Sequence, residues 1–166
     1  MRLLVALLPL CFINAAQAQY PWGYAPGNSA GSLAGAMLDA HNAVRASVGV
    51  PPLVWSPGLA AVAQNWANNL IATHRFAHSA ADRYGENLYA ISGAWASPAQ
   101  VVGAWAAEAR GYDIRSNGCM GVCGHYTQIV WQTTRAVGCA DAADAYREVW
   151  VCEYDPPGNV VGYRPY

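Results

Sequence analysis

Apolar residues recur at Leu33, Met37, Ala40 and Val44, the spacing of one helix face, and His41 lies beside that stripe as a partly buried structural histidine. A second helix is marked more sharply by SPGLAAVAQNWANNL. Ser56 can cap its free amides, Pro57 fits its first turn, and Leu59, Val62, Ala63, Trp66 and Leu70 form the buried face. SPAQVVGAWAAEARGYD repeats the design from Ser97 and Pro98, with Val101, Val102, Trp105 and Ala109 turned inward and Glu108 bordering the apolar side. After Gly124 the period changes. Residues 126–131 are aromatic and β-branched, and AVGCA and REVWVCEY likewise read as strands. The short connection over 141–146 makes 137–140 and 147–154 an antiparallel hairpin. The tail DPPGNVVGYRPY holds too much Pro for a central strand. Helices on a short antiparallel sheet predict an α+β domain, a three-layer α-β-α sandwich.

The N-terminus sets the compartment. MRLLVALLPLCFINAAQA has Arg2 as a charged head, an apolar run over 3–13, and the small-x-small triplet Ala16-Gln17-Ala18, the layout of a cleavable secretory signal over 1–18. The run is too short for a transmembrane anchor. Cleavage leaves 148 of the 166 residues (166 − 18), a length that suits one domain. Residues 19–32, QYPWGYAPGNSAGS, have no apolar period and read as an irregular arm, so the domain spans 33–166.

Of five cysteines, Cys11 leaves with the signal, and Cys119, Cys123, Cys139 and Cys152 remain. An even set in an oxidising compartment reads as two disulfides. Cys139 with Cys152 would tie neighbouring strands, and Cys119 with Cys123 would close a tight loop, although four cysteines allow three connectivities. A zinc site at Cys119, Cys123 and His125 needs thiolates protected from oxidation, which export disfavours. The formal charge of −1 becomes −2 without Arg2, and all nine basic residues are Arg. Nothing is basic enough to propose nucleic acid or an anionic membrane as a partner.

Four polar groups stand where the local pattern prefers apolar or neutral ones: His78 in a loop, Glu86 after Gly85, Glu108 beside an apolar helix face, and His125 ahead of a strand. Two imidazoles and two carboxylates are what a divalent metal site or an acid/base pair needs. They are equally compatible with buried acceptors satisfied by backbone amides, and with histidines that only pack. HRFAH places His74 and His78 at i and i+4 but lacks the Glu of the metalloprotease pattern.

GHYTQIVWQTT (124–134) and VWVCEYDPPGN (149–159) resemble the two signatures of the CAP superfamily, which includes cysteine-rich secretory proteins, antigen 5 and pathogenesis-related protein 1. HNAVR at His41, PLVWSPGLAAVAQNWA, YGENL and WAAEARGYD match in order, so the resemblance spans roughly 33–166 and is strongest to the plant-type pathogenesis-related branch. It implies a three-layer sandwich whose cleft holds His78, Glu86, Glu108 and His125, with zinc or another divalent ion at His78 and His125. It also implies the disulfide pairs Cys119–Cys123 and Cys139–Cys152. The third disulfide of the plant branch is missing with both partners. Glu153 departs from the signature, which has Asn or another neutral or basic polar residue there, and adds negative charge near the C-terminal turn. The tail 156–166 resembles a segment that plant members release by a cut after the residue equivalent to Asp155. The alternative is a tail simply packed on the domain.

Three functions follow as expectations. The first is a secreted, extracellular and defence-associated monomer that binds sterol, fatty acid or another lipid. The second is a metal-dependent hydrolase using the His/Glu cleft, or a serine mechanism through Ser79, which no nucleophile-elbow motif surrounds. The third is an extracellular signalling protein that releases its C-terminal peptide. Of these, binding without catalysis is the leading expectation.

Overall fold

The computed structural model describes residues 32–80 and 83–166. The expected signal segment with Cys11, and the arm up to residue 31, lie outside the described residues. Helix α1, Leu33–Ser47, starts where the Ser32 hydroxyl accepts the Gly35 N–H. Its buried stripe runs Met37, His41, Arg45, whereas Leu33 is exposed and Ala40 and Val44 only border the core. The expected apolar face is therefore turned by about one residue. Polar side chains take core positions because each has its partners inside, Asn42 with the backbone of Leu53 among them. His41 Nδ1 lies 2.7 Å from the Met37 carbonyl and Nε2 2.8 Å from Tyr154 Oη. Arg45 donates to the carbonyls of Pro51, Ile129, Trp131 and Thr134.

Strand β1, Val54–Trp55, leads to helix α2, Pro57–Ala72, capped by Ser56 and opened by Pro57 as expected. Leu59, Ala63, Ala67 and Leu70 are its buried residues, Trp66 is partly buried, and Val62 faces out. The contact stripe is small because the helix lies almost on the sheet: a Cβ at Gly138 would collide with the backbone of Leu59 and Ala60. Strand β2, Gly85–Ser92, precedes helix α3, Pro98–Ala106, which opens with a reciprocal Ser97–Gln100 capping box. A 3-10 helix, Ala107–Gly111, follows and carries Glu108. The short strands β3, Tyr112–Asp113, and β4, Gly118–Cys119, pair with each other.

Of residues 126–131, expected as a strand, 126–129 instead belong to helix α4, Gly124–Ile129, and the remaining two follow its end. Tyr126, Thr127, Gln128 and Ile129 are all buried, so the segment has no polar face from which a helical period could be read. Its β-prone side chains are overridden by packing and by a carboxylate at its N-terminus, described below.

Strands β5, Ala136–Ala143, and β6, Arg147–Asp155, form the expected hairpin, extended by one to three residues. The main sheet has the order β1-β5-β6-β2, with β1 parallel to β5 and the other pairs antiparallel. Cys139 stands opposite Cys152 and is bonded to it, and Cys119 is bonded to Cys123. Side chains alternate across the sheet. Leu88, Ala140, Val149 and Val151 pack under α2. Val137, Cys139, Cys152 and Tyr154 pack with Met37, Val102, Trp105 and Ile129 on the other face. That is the expected three-layer α+β sandwich. No described helix is long and apolar enough to cross a membrane.

Two outcomes are expected from this packing. Gly138→Ala forces α2 off the sheet and is expected to cost about 1–3 kcal/mol in urea unfolding. Burial holds the His41 imidazole down to about 4. Its stabilising contribution is thus complete above the unfolded value of about 6.5 and lost as pH falls towards about 4. An NMR titration is expected to show no protonation of His41 above pH ~5; an inflection near 6.5 would contradict this burial.

Candidate functional site

The loop between α2 and β2 brings His78 over the sheet edge, and Trp66 steadies it by donating its indole N–H to the Ala77 carbonyl. Glu86 is the second residue of edge strand β2 and its side chain is 6% exposed, against 63% for His78. His78 Nδ1 and Glu86 Oε1 are 2.5 Å apart. The same carboxylate accepts the Ser79 N–H at 3.1 and 3.4 Å from its two oxygens. Ser79 thus meets the pair through its backbone.

The second pair repeats this arrangement from other elements. Glu108 Oε1 lies 2.6 Å from His125 Nδ1, and Oε2 accepts the N–H groups of His125 at 3.0 Å and Tyr126 at 3.3 Å. One carboxylate therefore caps the first turn of α4 and orients the imidazole that begins it. The Trp105 indole stacks on His125, with centroids 6.0 Å apart and planes at 19°. The indole N–H is donated to the Leu88 carbonyl, which fixes α3 to β2.

The two pairs share β2. Glu86 holds His78, and the next residue, Asn87, donates its amide to the backbone carbonyl of His125 at 3.1 Å and to Tyr154 Oη at 3.1 Å. Tyr154 in turn meets His41. In each pair the carboxylate engages Nδ1. A neutral imidazole so held carries its proton on Nδ1 and keeps the lone pair of Nε2 for a proton or a metal ion.

The four residues expected to carry the site thus assemble as two imidazole–carboxylate pairs. Sequence reasoning missed Asn87, Trp105 and Tyr154, which join the pairs to the core. Asn87 had a visible signal, being a polar residue just before Leu88 in an apolar strand. The disulfide at Cys119 and Cys123 removes the alternative zinc set with His125. Among the described residues, the one group of three metal-type side chains within 4.8 Å is His41, Cys139 and Cys152. The disulfide and the two hydrogen bonds of His41 already occupy those atoms.

Glu153 differs from its expected setting. It sits within β6 opposite Glu86, 2% exposed, and not on the C-terminal turn. Burial first, then the charge and hydrogen bonding of Glu86, pushes its carboxyl up to about 8. The shift favours the neutral acid over the negative charge expected at this position.

Asp155 is the exposed last residue of β6. The tail after it is tied down along its length. Gly158 N–H donates to Gln128, Asn159 bonds Thr127 and the Gly124 carbonyl, Gln132 N–H donates to the Pro165 carbonyl, and the hydroxyls of Tyr126 and Tyr166 are 2.9 Å apart. Between this tail and the 112–124 segment lies a cavity of about 500 Å³, lined in part by Tyr112, Val122, Trp131, Val161 and Tyr163.

Residues 38–154 match the family model described as CAP, the cysteine-rich secretory protein family. Pathogenesis-related protein 1B of Nicotiana tabacum is 48% identical over 132 residues, 78% of each chain. Venom allergen-like protein 4 of Schistosoma mansoni superposes with a TM-score of 0.64 at 27% identity, over 81% of this chain and 94% of that one. NaASP2, solved with Zn2+, gives 0.68 at 26% identity, over 85% and 88%. The matched span contains both His–Glu pairs and both disulfides, and the chain belongs to the CAP family, resembling the plant pathogenesis-related proteins 1.

Proposed function

We propose that this CAP protein is extracellular and defence-associated, works by binding rather than by hydrolysis, and holds a divalent ion, zinc foremost, at His78 and His125. The observation that carries the ion reading is the matched contact of each imidazole Nδ1 with a carboxylate, at 2.5 and 2.6 Å. Outer carboxylates of this kind fix the tautomer and raise the basicity of a ligating Nε2. The donor set fits zinc, which takes imidazole nitrogen readily, and NaASP2 has been solved with that ion. A bound ion would supply concentrated positive charge and Lewis acidity. His78 and His125 would hold it, Glu86 and Glu108 would orient them, and Trp105 would shield one face of His125.

Hydrolysis finds less support. A general base must be free to take a proton from water. Both carboxylates already accept an imidazole contact and backbone N–H groups. Ser79 is met through its backbone and not as an activated nucleophile. The defence role rests on the names of relatives such as the tobacco protein.

A lipid-binding reading is favoured by the cavity under the tail. Its volume of about 500 Å³ suits a small apolar ligand, and Val122 and Val161 at its rim are 66% and 96% exposed. Sterols and fatty acids are the ligand classes we propose for it. Signalling by a released tail has less behind it, because a cut after Asp155 leaves the hydrogen bonds of 158–166 in place.

Calorimetric titration with zinc above pH ~6.5 is expected to show binding by the parent and its loss in the double variant His78→Ala, His125→Ala. Binding unchanged in that variant would refute the ion site. For the cavity, Val161→Asp is expected to weaken fatty-acid or sterol binding by about tenfold or more, the cost of exchanging an apolar contact for a charge. The double histidine variant is expected to bind the lipid normally. Lipid binding insensitive to Val161→Asp would place the ligand elsewhere.

A further inference from the structure

Glu153 is a buried acid with no ion-pair partner among the described residues. It stands opposite Glu86 on one side and Gly138 on the other. The helix above contributes the backbone of Leu59 and Ala60 at that point. Glu86 and the neighbouring Tyr154 are the titratable groups that act on it or respond to it. Its Oε1 has no hydrogen-bond partner among the described residues. Two ionised carboxylates here would be like charges meeting inside the protein, with nothing basic on either flanking strand position.

A proton resolves the contact. Carboxylates only accept hydrogen bonds, whereas a carboxylic acid donates one. With its proton, Glu153 can donate to Glu86, whose remaining contacts go to His78 Nδ1 and the Ser79 N–H. The result is a line of three groups running from the interior to the surface, through Glu153, Glu86 and His78, with side chains of the latter two 6% and 63% exposed. The raised carboxyl value of about 8 agrees with this geometry.

We propose that Glu153 is a positioning residue of the His78–Glu86 pair: a neutral carboxylic acid that donates its O–H to Glu86 and holds that carboxylate against His78. An acid in this form supplies a donor at a position where the family signature has Asn or another neutral or basic polar residue. Only the consequence for metal affinity rests on the divalent-ion reading; the hydrogen bond stands without it.

Two measurements separate these levels. Metal-free protein labelled with 13C at the glutamate carboxyls, with Glu153 assigned through Glu153→Gln, is expected to show a carboxylic-acid resonance at neutral pH. That resonance should move to the carboxylate position around pH 8. A carboxylate resonance for Glu153 at neutral pH overturns the proposal. Zinc calorimetry then tests the consequence. Glu153→Gln keeps a donor and is expected to bind within about twofold of the parent, whereas Glu153→Leu cannot donate and is expected to weaken binding by about tenfold. Equal binding by Glu153→Leu and the parent overturns the positioning role. If Glu153→Leu fails to fold by near-UV circular dichroism, Glu153→Met takes its place. Absence of zinc binding by the parent contradicts the ion reading, and the carboxyl resonance still decides the hydrogen bond.

Discussion

Strand alternation at the start of β2 is the constraint on which the site depends. Consecutive residues of a strand point to opposite faces, and here both faces are used. Glu86 lies on the face of Leu88, towards α2, and holds His78. Asn87 points the other way and holds the carbonyl of His125. Because β2 is an edge strand, both faces of the sheet can be approached around one border. A one-residue slip of β2 against β6 would exchange the two side chains and dissolve both anchors.

The second pair shows how one charge can serve fold and site together. Glu108 accepts two backbone N–H groups at the start of α4 while it orients the imidazole of the same turn. Helix and histidine are therefore fixed by the same carboxylate. The network continues inward through Asn87 and Tyr154 to His41, which burial keeps neutral. A site oriented in this way from behind has little rotamer freedom left to lose when a ligand arrives.

Features with a local cause were legible in the sequence. The Ser-Pro starts of α2 and α3 and the β5–β6 hairpin follow from neighbours in the chain, the cysteine pairing was favoured by spacing and implied by the family resemblance, and all appear in the structure. What failed had a non-local cause. Residues 126–129 of helix α4 are all buried, and its first N–H groups are capped by a carboxylate seventeen and eighteen positions earlier in the chain, so the segment carries no helical period. The inner face of α1 holds His41, expected only beside the apolar stripe and partly buried, and Arg45, whose buried acceptors lie far along the chain. The four site residues could be picked out singly as misfits and jointly by resemblance, but not paired, since each contact spans eight to seventeen positions. Glu153 was visible only as a departure from the family signature. Its contact with Glu86 follows from the strand register, which sets the two carboxyls opposite each other.

Carboxylates hold both imidazoles by Nδ1, and the central proposal is that both Nε2 atoms bind one ion. Crystals soaked in zinc, with anomalous data collected at the zinc edge, test it most directly. A single peak bonded to Nε2 of both His78 and His125 at about 2.0–2.1 Å is the expected result. A peak bonded through Nδ1, separate peaks at the two histidines, or none at either would contradict it.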